Sequence, residues 1–233
     1  MSHSIQQLAD NYHRVLERIQ RAAERANRDP GDIQLVAVTK YVDSGLIREL
    51  HQLGCRDFGE SRPQVLWKKA EELRELDLNW HLIGHLQTNK VRRSLPVVSL
   101  VHSGDSLKLL QLLDEESERI GEVSEVLCEV NISGDPAKHG FAPDRMGETL
   151  EEVSRLGNLR VRGLMAMASQ EGGLERARQD FERMQALRLE WSDPLPANVS
   201  LAELSMGMSG DFEEAILHGA TLVRVGSVLF EGV

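Results

Sequence analysis

Short apolar segments alternate with amphipathic ones along nearly the whole chain, and this alternation constrains the fold more than any other feature. Eight segments read as strands: IQLVAV, CRDF, NWHLIG, PVVSLVHS, VSEVLCEVNI, NLRVRGLMAMA, NVSLAELSM and TLVRVGS, centred near Val36, Asp57, His81, Val98, Leu127, Leu164, Leu201 and Val223. IQLVAV is almost continuously apolar, so both of its faces need cover, as in a parallel sheet flanked by helices. Seven helices separate the strands: SGLIRELHQLG, SRPQVLWKKAEELREL, QTNKVRRSL, DSLKLLQLLDEESERI with Asp105 as its cap, one carrying Met146, Leu150 and Val153 after Pro143, one from Leu174 to Trp191, and DFEEAILHG. An earlier helix carries Leu8, Tyr12, Val15, Ile19, Ala22 and Ala26 at spacings of three and four and stops at Asn27, Pro30 and Gly31. Eight βα units in roughly 200 residues are what a (β/α)8 TIM barrel requires. The chain ends soon after the eighth strand, so the N-terminal helix is expected in place of the eighth outer helix. No linker divides residues 1–233, and one α/β domain is the economical reading. An open doubly wound sheet is the rival, but the first turn, VTKYVDSG, lacks its G-x-G-x-x-G.

Composition narrows the partners. Lysine and arginine number 27 against 37 acidic residues, a net charge of −10. An acidic chain with 4% aromatics gains no general attraction to nucleic acid or to anionic membrane. The N-terminus has no apolar stretch suited to a signal peptide and no run approaches a membrane span, so the expected location is cytoplasmic. Two cysteines, Cys55 and Cys128, cannot make a disulfide framework and read as small core residues.

In a barrel the chemistry sits at the C-terminal strand ends. Lys40 follows the first strand, where partial burial would favour the neutral amine that forms imines. A lysine snorkelling to solvent is the alternative there. The segments after strands seven and eight, SMGMSG and RVGS, supply small residues, hydroxyls and Arg224, the makings of a phosphate site, although each alone is an ordinary tight turn. An imine-forming lysine facing a phosphate cradle suggests a phosphorylated aldehyde, and pyridoxal 5′-phosphate (PLP) fits. His81 and His85 straddle a strand end and a glycine turn, which gives no metal-ligand register. Met165 and Met167 read as core or pocket wall. Lys68-Lys69 and Arg92-Arg93 read as solvated helix faces, and His139 as a loop residue.

At these residues the chain resembles the YggS/PROSC family of pyridoxal phosphate homeostasis proteins. The shared segments are LVAVTK, FGES, WHLIGHLQTNK, EVNISGDPAKHGF, RGLMAMA, LSMGMSGDFEEAILHGATLVRVGS and LFEG, in family order across nearly the whole chain. The family looks like the barrel half of bacterial alanine racemase. The resemblance implies a covalent PLP aldimine at Lys40, Arg224 facing the pyridine nitrogen, and a phosphate held by Gly226 and Ser227 with Ser205 and the Met206–Ser209 turn. It places Ser61 and His81 beside the ring. The family more often has FGEN, so any contact made by that asparagine is altered at Ser61.

A guanidinium does not accept a proton, so Arg224 would leave the ring a weak electron sink. Racemisation in the two-domain relatives also uses a tyrosine from outside the barrel, and neither Tyr12 nor Tyr41 matches it. The expectation is therefore a PLP-binding protein of vitamin B6 homeostasis without substantial catalysis, a monomer with a dimer as the alternative, with PLP-dependent apo-enzymes as recipients. A small PLP-dependent amino-acid racemase is the second reading. A class I aldolase-type barrel, using a lysine imine without PLP, is the third.

Overall fold

The computed structural model describes residues 3–169 and 171–233. Eight parallel strands close in chain order: β1 (Gln34–Val38), β2 (Asp57–Glu60), β3 (Asn79–Leu82), β4 (Leu100–Gly104), β5 (Ser124–Glu129), β6 (Leu159–Met165), β7 (Val199–Met208) and β8 (Leu222–Val225), with β8 pairing back to β1. Helices cover the outside: α2 (Ser44–Gln52), α3 (Pro63–Glu72), α4 (Val91–Ser94), α5 (Leu107–Ile120), α6 (Met146–Val153), α7 (Gly173–Glu190) and α8 (Phe212–Leu217). Helix α1 (His3–Arg25) packs between α8 and α2, the slot an eighth outer helix would fill. Its buried Leu8, Val15, Ile19 and Ala22 join the outer core, and Arg18 forks onto Glu213 of α8 at 3.0 and 2.8 Å.

Strand parity divides the core in two. In β1, Leu35 and Ala37 face the helices, while Val36 meets Leu100, Leu127, Met165 and Leu222 inside the barrel. Bonded strands thus offer one apolar layer inward and another outward. Cys55 and Cys128 are both buried and free.

Four local expectations are corrected. Leu95–Val97, with Pro96, form a 3-10 turn, so the fourth strand starts at Leu100 rather than around Val98. Ser106 caps α5, its hydroxyl accepting from Leu109 N–H, which leaves Asp105 for another partner. Strand β7 runs on to Met208 through a register shift, with Gly207 at φ +91°, where a loop was expected. Lys69 is buried rather than solvated. Among the described residues, no helix is long and apolar enough to cross a membrane.

Candidate functional site

The C-terminal strand ends enclose a cavity of about 650 Å³, a size suited to a small ligand. Parity explains what lines it. Val38 and Lys40 continue the inward series of Val36, and Gly226 continues that of Leu222 and Arg224. Lys40, Ser61, Ser209, Arg224, Gly226 and Ser227 therefore meet around one space, although they come from four strand ends.

Lys40 is exposed at the mouth, its Nζ 4.9 Å from the ring centre of Tyr41. The peptide before it is held from behind. Lys69 of α3 donates to Thr39 O at 2.7 Å and to Glu60 Oε1 at 2.6 Å, and the Thr39 hydroxyl donates to the same oxygen at 2.7 Å. This buried pair compensates two charges that burial would otherwise penalise heavily.

Arg224 is 5% exposed and forms the floor. It donates to Ser205 Oγ at 2.5 Å and to Ala166 O at 3.0 Å, and no carboxylate pairs with it among the described residues. Burial lowers its pKa to about 10, with Asp211 and Glu129 pulling the other way. On one side of this cation, Gly226 N–H donates to Ser209 Oγ at 3.1 Å, and Met208 N–H donates to Asp211 at 2.6 Å. A side chain at Gly226 would start 3.1 Å from Val38 O, a tight contact that glycine avoids where β8 approaches β1.

Across the mouth, His85 Nδ1 lies 2.6 Å from Asp105, and His139 stacks on His85 with ring centres 4.2 Å apart at 13°. The near-parallel rings hold their in-plane lone pairs in separate planes, and the three side chains are close enough to be a metal candidate. Glu129 also faces the cavity, and its pKa is raised to about 7, first by burial and then by Asp105.

Three expected residues lie elsewhere. His81 is inward but one layer below the cavity, because Ile83, two residues on, reaches the lining. Ser205 likewise sits beneath the floor, bonded to His102 at 2.8 Å and to Arg224. Met206 has outward parity and is buried among the outer core residues. Conversely, the sequence assigns no site role to Glu129, Asp57 and His102, and weighs His85 only as a metal ligand. The signal for two of them was parity: Glu129 is two residues past inward Leu127, and His102 two past inward Leu100.

The donor set suits a phosphorylated aldehyde: a primary amine, a buried guanidinium without a paired carboxylate, and hydroxyls beside a glycine cradle. Residues 10–232 match the alanine racemase, N-terminal domain family. A pyridoxal phosphate homeostasis protein of Pseudomonas aeruginosa is 43% identical over 225 residues, covering 96% of this chain and 94% of that one. One of Aquifex aeolicus is 42% identical over 217 residues, covering 93% and 94%. Among solved structures, PipY of Synechococcus elongatus with PLP bound superposes with a TM-score of 0.80 at 34% identity, covering 91% of this chain and 99% of that one. The chain thus belongs to the alanine racemase N-terminal domain family, among the relatives called pyridoxal phosphate homeostasis proteins.

Proposed function

We propose that this chain binds PLP in the barrel mouth and acts in the cytoplasm in PLP homeostasis, without substantial catalysis of its own. The observation that carries the reading is that Lys40 and Arg224 line one cavity, with an amine at the mouth and a guanidinium at the floor that makes no ion pair among the described residues. The PLP bound by PipY and the shared name of the relatives support it. Lys40 Nζ would hold the aldehyde carbon covalently. Ser209, Gly226 and Ser227 would hold the phosphate, and Arg224 would donate to the ring nitrogen, with Ser61 at the edge of the ring. When bound, PLP supplies an electrophilic carbon and an electron-withdrawing ring. Arg224, a donor only, keeps a proton off the ring nitrogen and so weakens that withdrawal. PLP-dependent apo-enzymes are the proposed recipients.

One observation favours a second reading, an amino-acid racemase-like enzyme. Glu129 titrates near neutrality in the same cavity, as an acid–base group does.

The deciding experiment loads wild type and Lys40→Ala with PLP and records absorption before and after borohydride. Wild type is expected to give a yellow band that borohydride bleaches, leaving a pyridoxyl group on the Lys40 peptide, and Lys40→Ala is expected to lack it. A wild type that takes up no PLP overturns the reading. Lys40-dependent racemisation at ordinary enzymatic turnover moves it to the enzyme.

A further inference from the structure

We propose that Asp57, His81, His102 and Ser205 form a single positioning relay for Arg224, with every donor in it pointing away from the guanidinium. The inference rests on the reading of Arg224 as the group that faces the PLP ring.

The relay crosses the barrel interior. Arg224 reaches Ser205 Oγ at 2.5 Å, Ser205 Oγ reaches His102 Nδ1 at 2.8 Å, His102 Nε2 reaches His81 Nδ1 at 2.8 Å, and His81 Nε2 reaches Asp57 Oδ1 at 3.1 Å. The histidine rings meet edge to face. The two ends decide the order of hydrogens. A guanidinium can only donate and a carboxylate can only accept. With both histidines neutral, the Ser205 hydroxyl donates to His102 Nδ1, His102 donates from Nε2 to His81 Nδ1, and His81 donates from Nε2 to Asp57. Any reversal in the middle needs a second proton on His81, because a bare His81 Nε2 would face the Asp57 carboxylate. Burial first, and then the Arg224 charge, hold the His102 pKa well below its ordinary value, which favours a neutral His102. Asp57 stays ionised: burial alone would raise its pKa, but hydrogen bonds from His81, Gln34 and Asn79 outweigh that and lower it.

The arrangement has a physical consequence. Each dipole turns its negative end toward Arg224, which steadies a buried cation without a carboxylate in contact. The relay ends on the Asp57 carboxylate, while Asp211 and Glu129 are the carboxylates whose charges act on Arg224 directly. The cavity side of the guanidinium stays open to an acceptor, and its plane is fixed by Ser205 and Ala166 O. The alternative filling is at hand, since the same interior already holds Val36, Leu100, Leu127, Met165 and Leu222. Buried polar groups cost more than apolar ones unless fully bonded, so a relay here needs a task.

The test has two arms. In the PLP-free full-length chain labelled with 15N-histidine, long-range proton–nitrogen correlation reports the tautomers. His81 and His102 are both expected protonated at Nε2 and bare at Nδ1, and an Nδ1 proton on either overturns the relay whether or not PLP binds. In the second arm Ser205→Ala, which removes the hydroxyl, is compared with Ser205→Thr, which keeps it. Ser205→Ala is expected to mix the His102 tautomers, shift the absorption band of bound PLP and weaken binding of pyridoxine 5′-phosphate about tenfold. Ser205→Thr is expected to restore all three. A Ser205→Ala protein that keeps the His102 tautomer and the band also overturns it. If Ser205→Ala does not fold, the wild-type tautomers still decide. Wild type that binds no PLP but shows both tautomers overturns the functional reading and leaves the relay standing.

Discussion

Glu129 shows how one residue sets a condition on binding. Its carboxyl lies in the same cavity as Arg224, and its pKa is raised from 4.5 to about 7 by burial first and the Asp105 charge second. The folded chain therefore holds this proton more tightly than the unfolded chain. The stability it contributes is fully present below pH 4.5 and is lost as pH rises through about 7. A phosphate dianion in the same cavity pulls the pKa higher still, so binding takes up a proton. Pyridoxine 5′-phosphate, which lacks the aldehyde, isolates this effect from Lys40, and above about pH 7 its phosphate is already a dianion. Its affinity is expected to fall by up to about tenfold per pH unit above neutrality. Glu129→Gln is expected to flatten the profile, as calorimetry across pH 7–9 would show. An equal slope in both proteins would remove Glu129 from the pocket's electrostatics. At this scale the sequence made the strand-end residues legible, because Lys40, Arg224 and Gly226 interrupt apolar runs. Glu129 and His102 were hidden because the same parity that buries an apolar side chain also buries a polar one. Lys69 was hidden because the partner that buries it, Glu60, lies on a different element.

Elements were legible wherever hydrophobic period and punctuation agreed, which covers all eight strands and the helices between them. The boundaries failed where backbone geometry overrode pattern. Pro96 delayed β4, and Gly207, which reads as a loop glycine, instead lets β7 continue past a register shift. A second glycine marks a similar irregularity between β6 and β7. A Cβ on Gly163 would lie 1.9 Å from the Glu203 carbonyl oxygen, and that atom is backbone and cannot rotate away. The strands must separate to admit even one methyl, which breaks the barrel's closure beside Met165 and Ser205. Gly163→Ala is expected to lose at least about 3 kcal/mol of stability or to fail to fold. Urea unfolding measures this, and a loss under about 1 kcal/mol would mean that the ladder tolerates opening at this point.

At the scale of the molecule, the closed barrel decides how the site meets solvent. Strand parity fills the lower interior with the apolar layer and the Arg224 relay, so the cavity has a packed floor and opens at the C-terminal strand ends. At that opening Lys40 is exposed and Tyr41 is 87% exposed, and no described segment covers them. The net charge of −10 opposes an approaching phosphate, but salt screens it over about 10 Å at 0.1 M, leaving the local donors to hold the ligand. An open mouth is what a carrier needs, whereas an enzyme that protects a reactive intermediate benefits from closing. The two designs differ in a measurable rate law. When hydroxylamine is added to the PLP-loaded chain, an open site is attacked directly, so the rate of loss of the yellow band is expected to rise in proportion to reagent concentration without levelling off. A gated site, or one that reacts only after PLP dissociates, gives a rate that saturates at the opening or release step. Stopped-flow absorbance over a hundredfold range of hydroxylamine separates the two. Saturation would show that the loaded site is closed to the reagent until it opens or releases the ligand.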